Sequence, residues 1–295
     1  MIIGNLIGGL GNQMFQYACA RALAEDLNLP LKFAIDGFNI YKAHNGLEIN
    51  KVFKAHIEGV NEAELANYLG FWRCNPMFRQ VISNRYFSWL SGRHFISEYN
   101  FNYQPNLTKR SAQGAYLHGY WQSERYFSHH EKLIRSDFIF REKMNTKNQE
   151  LAKKICKTNS ISIHIRRGDY TTNSKTLATH GICSLNYYDQ AINTILKQYP
   201  DAQFFVFSDD FEWVNENFAS RYANITLVSH NKGVNSYNDM QLMSMCKHHI
   251  IANSSFSWWG AWLNPRKDKT VIAPAHWFAD GRNTQDLIPN TWIRM

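Results

Sequence analysis

Apolar and polar residues follow two alternating patterns along the second half of the chain. Short runs that are apolar throughout, such as "QFFVFS" at 203–208, are typical of strands buried on both faces of a sheet. Between such runs lie segments such as 186–200, where apolar positions recur at helical spacing until Pro200 ends the pattern. This alternation predicts an α/β fold with a parallel sheet and right-handed crossovers, that is, a Rossmann-like lobe.

The predicted strands of this half are 160–165, 203–208, 225–229, 248–252 and 270–275, and the predicted helices are 186–200, 211–218, 236–246 and 254–264.

The first half is less regular. A strand at 2–7 leads through a Gly-rich turn into a helix at about 12–27, and a second strand follows at 31–36. Residues 40–110 are rich in loop-forming and aromatic residues, and 114–127 holds a further strand and turn. We expect two lobes, residues 1–150 and residues 151–295, with the boundary in the polar stretch 141–158.

Polar residues end four of the predicted strands of the second half. They occupy 164–169, 208–210, 229–231 and 253–255. In open α/β sheets, ligands bind beyond the carboxyl ends of the strands. Four polar ends at one edge of one sheet therefore indicate a binding site.

The first of these ends, "SISIHIRRGDY", holds two arginines. Strand alternation places the isoleucines on one face and His164 with Arg166 on the other. The planar guanidinium suits phosphate and stays charged at any working pH. The alternative is a structural ion pair from Arg166 or Arg167 to Asp169. An adhesion role for the Arg-Gly-Asp tripeptide is disfavoured, because the tripeptide abuts a buried strand.

The last strand end, "NSSFSWWGAWL", places small polar residues at the start of a helix. Backbone N–H groups and the hydroxyls of Ser254, Ser255 and Ser257 could hold phosphate oxygens there. A simpler interpretation is a helix cap followed by a buried aromatic face. Both hold together if Phe256 and the tryptophans pack inward while the serines face the ligand.

The segment "GGLGNQMFQYA" at 8–18 is a Gly-rich turn between a strand and a helix. It lacks the third glycine of a dinucleotide fingerprint, because Met14 occupies that place. Glycines let a ligand approach the backbone closely. Asn12 and Gln13 then offer uncharged hydrogen-bonding groups of the kind that sugars require.

Composition narrows the class of partner. The 295 residues carry 32 Lys and Arg against 24 Asp and Glu, a net charge of +8, which suits an anionic partner such as a nucleotide. No run of five like charges occurs, which disfavours a nucleic-acid tail. The five cysteines form no C-x-x-C pair, so neither a disulfide framework nor a zinc site is expected.

Two further absences from the sequence shape the expected mechanism and location. No Asp-x-Asp motif occurs, so we expect no metal and no other cofactor, with an arginine supplying the positive charge. No apolar run is long enough for a membrane span, and no signal peptide is recognisable. We therefore expect a cytoplasmic protein, with peripheral contact at the inner membrane face left open.

Four segments together resemble the bacterial α-1,2-fucosyltransferases of glycosyltransferase family 11. They are "GGLGNQMFQYA", "GYWQSERYF", "HIRRGDY" and "FSDD…NSSFSWWGAWLN", which span nearly the whole chain in order. The third segment is also similar to one in α-1,6- and protein O-fucosyltransferases. The resemblance implies a two-lobed GT-B-like fold with a Rossmann-like C-terminal donor lobe and a mainly acceptor-binding N-terminal lobe.

The resemblance also implies a reaction. This is an inverting, metal-independent transfer of L-fucose from GDP-β-L-fucose to the 2-hydroxyl of a terminal galactoside, in surface glycan synthesis. The acceptor would be a galactose-terminated oligosaccharide or a lipid-linked glycan. A fucosyltransferase of another linkage and a non-catalytic nucleotide- or glycan-binding protein remain alternatives. No nucleic-acid partner is expected, and the oligomeric state is open.

By position, the resemblance assigns Arg166 to the β-phosphate, His164 to the nucleotide pocket and Asn12 to the sugar side. Together with Asp169, these are the expected catalytic residues. Asp209 or Asp210 would hold the guanine or the ribose. The full set of expected substrate-binding residues is Gly9, Gly11, Gln13, Arg167, Ser208, Asp209, Asp210, Asn253, Ser254, Ser255, Phe256 and Ser257.

The catalytic base is open. An inverting displacement needs a group that removes the proton of the acceptor hydroxyl. Asp169 is the nearest carboxylate in sequence, although it could instead brace the arginine loop. Glu124, Asp36 and Glu98 are further candidates, and an ion-pair mechanism in which the departing phosphate takes the proton is a further alternative.

Overall fold

The computed structural model describes residues 1–40, 45–168 and 174–295, which form two compact units. Unit 1 comprises Met1–Arg141 and Gln285–Leu287, and unit 2 comprises Glu142–Thr284 and Ile288–Met295. The division lies at the start of the polar stretch 141–158, and residue 150 falls inside a helix of unit 2. Among the described helices, none combines the length and apolarity needed to cross a bilayer. All five cysteines are free thiols.

Unit 1 is built on a four-stranded parallel sheet. Its strands are β1 (Ile2–Asn5), β2 (Leu31–Ala34), β3 (Phe95–Ser97) and β4 (Ala115–His118). Their order is β2-β1-β4-β3, and every neighbouring pair is parallel. The residues that follow these strands therefore lie along one carboxyl edge of the sheet.

The helices of unit 1 are mostly short, apart from the first. They are α1 (Leu10–Leu27), α2 (Gly37–Ile40), α3 (Ile49–Val52), α4 (Glu62–Leu69), α5 (Pro76–Ile82), α6 (Leu107–Arg110) and α7 (Glu131–Asp137). Four 3-10 helices also occur, at Phe71–Cys74, Arg85–Leu90, Glu124–Tyr126 and Ser128–His130. Helix α1 is buried along most of its length, which explains why it lacks a polar stripe.

Unit 2 is built on a six-stranded parallel sheet. Its strands are β5 (Ser160–Ile165), β6 (Gln203–Ser208), β7 (Ile225–Val228), β8 (His248–Ile250), β9 (Val271–Ala273) and β10 (Ile293–Arg294). The spatial order is β10-β9-β8-β5-β6-β7. The chain runs outward from β5 to β7 and then crosses to β8 on the other side of β5. This is the strand order of the doubly wound Rossmann fold, and it confirms the predicted lobe.

The helices of unit 2 cover both faces of this sheet. They are α8 (Thr146–Lys157), α9 (Ser174–His180), α10 (Leu185–Gln198), α11 (Phe211–Asn217), α12 (Tyr237–Met245) and α13 (Ser255–Leu263), with 3-10 turns at Ala219–Arg221 and Gly233–Asn235. Ile161, Ile163 and Ile165 pack against α10 in one core, as the strand alternation predicted. Phe205 and Phe207 pack in a second core on the opposite face.

The sequence patterns located most of the longer elements, but they missed two short strands and helix α8, which occupies most of the polar stretch expected to separate the lobes. Strands 160–165 and 203–208 agree with the structure to the residue, and the predicted helix 186–200 is observed as Leu185–Gln198. Strand β3 has only three residues, and β10 has two exposed residues at a sheet edge. Neither is long enough to show an alternating pattern in the sequence.

Candidate active site

The strand order of unit 2 creates a crevice at the carboxyl ends of β5 and β8. The segment after β5 leads towards β6, whereas the segment after β8 leads through α13 towards β9 on the other side. Neighbouring strands whose connections diverge in this way leave a space between them, and ligands of open α/β sheets bind there. The two segments that border this crevice are 166–168 and 253–257, both predicted as site residues.

The arginines after β5 are held by the carboxylates after β6. Arg166 Nη1 lies 2.9 Å from Asp209 Oδ2, and Arg167 Nε lies 3.4 Å from Asp210 Oδ2. The Arg167 guanidinium also stacks on the Trp213 ring at 3.7 Å. The predicted partner Asp169 lies outside the described residues. The two arginines are therefore paired across to the next strand, and Arg167 is also fixed by an aromatic ring.

Asp209 organises the backbone of this loop as well. Its carboxylate accepts a hydrogen bond from the N–H of Arg167 at 2.9 Å and another from the N–H of Gly168. A Cβ at Gly168 would lie 2.9 Å from Asp209 Oδ2, so only glycine permits this approach. Burial opposes ionisation of Asp209, but Arg166 and the two N–H groups outweigh it and lower the pKa of Asp209.

His164 lies on β5 beside this loop and is buried, with only 5% of its surface exposed. Burial lowers the pKa of His164 well below its ordinary value. Asp209 opposes this shift and Arg166 adds to it, and the net lowering leaves the imidazole neutral at neutral pH. Its Nδ1 has no hydrogen-bond partner among the described residues. The ring lies 5.9 Å from that of Phe256 on α13. An unmatched buried nitrogen here can still bind a ligand that enters the crevice.

Helix α13 begins at the opposite side of the crevice. Ser254 is its N-cap residue, yet the Ser254 side chain makes no capping hydrogen bond. The buried Ser257 hydroxyl donates to the Ser254 carbonyl at 3.3 Å, and Ser255 is partly exposed. The three tryptophans of α13 pack inward, as predicted. The first turn thus retains the backbone geometry of an anion-binding helix start.

Three residues predicted to bind substrate are already engaged by the protein. Asn253 Nδ2 donates to the carbonyl of His180 at 2.7 Å and to that of Trp277 at 3.3 Å, so Asn253 secures neighbouring loops. The Ser208 hydroxyl accepts from the N–H of Asp210, and the Asp210 side chain caps α11. These contacts support the edge of the crevice, and roles for Ser208, Asp210 and Asn253 in binding stay predictions.

The Gly-rich turn of unit 1 lies after β1, and Gly9 is the N-cap residue of α1. Gly11 is buried inside the first turn of α1. Gln13 is fully buried and donates to the carbonyls of Gly8 and Gly46, while its Oε1 accepts from the N–H groups of Glu48 and Ile49. Its amide is therefore committed to backbone groups, which the spacing of the sequence did not reveal.

Asn12 occupies the same turn and is only partly buried. Its Oδ1 accepts a hydrogen bond from Gln122 Nε2 at 2.8 Å, and its amide lies against Gly8. Gln122 follows β4 and sits within the segment "GYWQSERYF". The pattern of the sequence assigned no role to Gln122, although the quoted segment contains it. The structure thus links the turn after β1 to the segment after β4.

The candidate bases differ sharply in their surroundings. Asp169 lies outside the described residues. Asp36 is ion-paired with the buried Arg79, and Glu124 lies in the first turn of a 3-10 helix. Glu98 follows β3, and its carboxylate accepts the backbone N–H groups after β4. Burial raises the pKa of Glu98 to about 7, although those two N–H groups act in the opposite direction.

Two units, each built on a parallel sheet, define the GT-B-like class of glycosyltransferases. The crystal structure of fucosyltransferase NodZ from Bradyrhizobium matches with a TM-score of 0.55 at 15% identity, covering 90% of this chain and 92% of that chain. POFUT1 in complex with GDP matches with a TM-score of 0.50 at 12% identity, covering 92% of this chain and 98% of that chain. At such identities the likeness concerns the fold, and it confirms the predicted architecture.

The sequence matches the family described as "Glycosyl transferase family 11" over residues 2–295, and the chain belongs to this family. It is 36% identical to an alpha-1,2-colitosyltransferase of Escherichia coli, covering 100% of this chain and 99% of the relative. It is 34% identical to the O-antigen biosynthesis glycosyltransferase WbnK of Escherichia coli, covering 98% and 99%. It is 24% identical to a galactoside alpha-(1,2)-fucosyltransferase 2 of Hylobates lar, covering 88% and 68%. The protein is therefore a glycosyltransferase, as the motifs predicted.

Proposed function

We propose that this glycosyltransferase transfers a 6-deoxy-L-galactosyl group from a GDP-β-linked donor to the 2-hydroxyl of a terminal galactoside. The first candidate for the transferred group is L-fucose, supplied as GDP-β-L-fucose. The linkage named in two of the relatives, alpha-1,2, supports this acceptor position. The name of WbnK supports a role in surface glycan synthesis. The reaction would proceed in the cytoplasm with inversion and without a metal.

The observation that carries the proposal is the arginine loop after β5. Arg166 presents a permanently charged guanidinium at the crevice, with Asp209 fixing it from one side. The first turn of α13 offers backbone N–H groups on the other side. A diphosphate held between a guanidinium and a helix start would have the charge of its leaving oxygen neutralised as the glycosidic bond breaks.

In this mechanism the acceptor oxygen forms a bond to C1 of the donor sugar. The bond from C1 to the β-phosphate oxygen breaks, and its electron pair leaves with GDP. Arg166 stabilises that oxygen, while the neutral His164 lines the pocket and adds no charge. Attack from the face opposite GDP converts a β-linked donor into an α-linked product.

A second candidate for the donor sugar is colitose, which is favoured by the 36% identity to a colitosyltransferase. Colitose is fucose without the 3-hydroxyl. A site that hydrogen-bonds this hydroxyl rejects the deoxy sugar by about 10⁴-fold or more, whereas an apolar site discriminates only weakly. The ratio of kcat/KM for the two GDP-sugars therefore decides which donor the protein uses.

The test is incubation with GDP-fucose or GDP-colitose and a panel of β-galactosides, followed by NMR determination of the product linkage. We expect an α-1,2-linked product. An α-1,6 linkage or a glycosylated peptide would assign another linkage class, and GDP binding without turnover would indicate a binding protein. Arg166→Ala should lower kcat for transfer by about 10²–10³-fold, while Arg266→Ala, a change at an exposed arginine of unit 2, serves as the matched control.

A further inference from the structure

Glu98 stands directly after β3 at the carboxyl edge of the unit 1 sheet. The last residue of β3, Ser97, pairs in register with His118 at the end of β4. Glu98 Oε2 accepts the N–H of Tyr120 at 2.7 Å and that of Trp121 at 2.9 Å. Both bonds end on one oxygen. Within the described part of the chain, Oε1 therefore remains an acceptor atom with no protein partner.

The segment after β4 is shaped around this carboxylate. A Cβ at Gly119 would lie 2.5 Å from Glu98 Cβ, so only glycine permits the approach. Trp121 adopts a left-handed backbone with φ of 56°, which is strained for a bulky residue. Strain of this kind costs on the order of 1–3 kcal/mol and is retained mainly where a ligand site requires it.

Two buried polar atoms of the segment after β4 lack hydrogen bonds in the described residues. They are the indole nitrogen of Trp121 and Oε1 of Gln122. The Trp121 ring carbon bonded to that nitrogen, Cε2, lies 3.3 Å from the position of a Cβ at Gly119, the same point that Glu98 crowds. Carboxylate and indole edge are therefore neighbours. A hydroxylated ligand at this strand end would provide the missing partners, whose absence costs about 1–3 kcal/mol each.

An aromatic surface borders the same strand end. Tyr120 is 37% exposed, and its ring stacks on that of Phe101 with centroids 6.3 Å apart and an angle of 9°. Behind this segment, Gln16 donates to the Gly119 carbonyl at 3.1 Å, and Gln122 donates to Asn12. An aromatic face, a carboxylate and amides together suit a sugar, because a galactose ring has one apolar face and several hydroxyls.

The surroundings of Glu98 determine the pH at which its carboxyl group ionises. Burial raises its pKa to about 7, and the N–H groups of Trp121 and Tyr120 limit the rise. The titratable groups of the described residues that couple to it are Cys19 of α1, Tyr120 and Tyr126, whose own pKa values are all raised. These three are neutral at neutral pH, so none supplies a positive charge. A carboxylate without a positively charged partner is suited to accept a hydrogen bond from a sugar hydroxyl.

We propose that Glu98 Oε1 accepts a hydrogen bond from a hydroxyl of a galactoside acceptor at the carboxyl edge of the unit 1 sheet. Tyr120 and Gln122 position the sugar. The inference rests on the proposed function, and it gives the acceptor a site in unit 1.

Glu98→Gln is the decisive variant, because an amide oxygen can still accept both backbone N–H groups while the free acceptor atom Oε1 is replaced by an amide nitrogen that donates. We expect the affinity for methyl β-D-galactoside, measured by calorimetry, to fall by at least about tenfold. GDP affinity should stay within twofold of wild type. Glu62→Gln, at an exposed carboxylate of α4, is the matched control.

Equal affinities of wild type and Glu98→Gln for methyl β-D-galactoside would overturn the inference. If the wild type transfers no sugar from GDP-fucose or GDP-colitose, the proposed function has failed by itself. The galactoside titration then still decides on Glu98, because it does not depend on the donor.

Discussion

Glu98→Gln should also make unit 1 more stable, and the effect should depend on pH. The folded protein holds the pKa of Glu98 at about 7 instead of the ordinary 4.5, chiefly because burial disfavours the charge. Each pKa unit corresponds to about 1.4 kcal/mol, so the ionised carboxylate lowers the free energy of unfolding by about 3 kcal/mol above pH 8.

The sign follows from proton binding. Between these two pKa values the folded state holds more protons at Glu98 than the unfolded state does. The contribution of Glu98 to stability is therefore fully present below pH 4.5 and is lost as the pH rises through about 7. Glutamine resembles the protonated acid and does not titrate. The stability gain of the variant should be near zero at low pH and should approach 3 kcal/mol, an order-of-magnitude figure, at pH 8.

Chemical denaturation of wild type and variant at a series of pH values measures this difference. The unfolding of unit 1 should be followed separately, because two units need not unfold in one transition. A variant equal to or less stable than wild type at pH 8 would refute the reasoning, since it would mean that Glu98 is not desolvated in the folded protein. Glu62→Gln, a change at an exposed carboxylate of the same unit, is the matched control in this assay.

Three further changes test other parts of the structure. Arg166→Ala should lower kcat for transfer by about 10²–10³-fold with little change in melting temperature, and near wild-type transfer would remove Arg166 from the mechanism. Transfer should persist in EDTA, whereas a strict need for Mn²⁺ or Mg²⁺ would contradict the metal-independent mechanism. Gly119→Ala should destabilise unit 1 by about 1–3 kcal/mol through its clash with Glu98, while Gly37→Ala, whose Cβ would lie 3.6 Å from Ile7, should cost less in the same unfolding assay.

The sheet of unit 2 was predictable because buried strands have a recognisable pattern of apolar residues in the sequence. Strands such as "SISIHI" and "QFFVFS" are covered on both faces, so their residues are apolar or alternate regularly, and their bounds agree with the structure. Parallel strands also place all carboxyl ends at one edge, which is why the polar strand ends could be grouped into one candidate site from the sequence. The edge strand β10 has too few residues to show such a pattern.

The contacts of individual side chains were harder to predict from the sequence than the locations of the strands and helices. The arginines after β5 were given Asp169 as a possible partner because it is near in sequence, yet Asp209 and Asp210, which follow the neighbouring strand, engage them. Gln13 has an amide that could hydrogen-bond a sugar, but this amide is already hydrogen-bonded to the backbone of Gly46 and Glu48. Contacts across the chain depend on which loops meet, and local spacing does not encode this.

The closeness of Gly168 to Asp209 has a consequence for how this sequence can change over time. The missing side chain at one position is the space that the carboxylate occupies at the other. A side chain at 168 would therefore displace the carboxylate that orients Arg166. The dependence runs in one direction, because position 168 must remain glycine for as long as Asp209 holds the arginine, whereas a smaller residue at 209 would leave room for a side chain at 168.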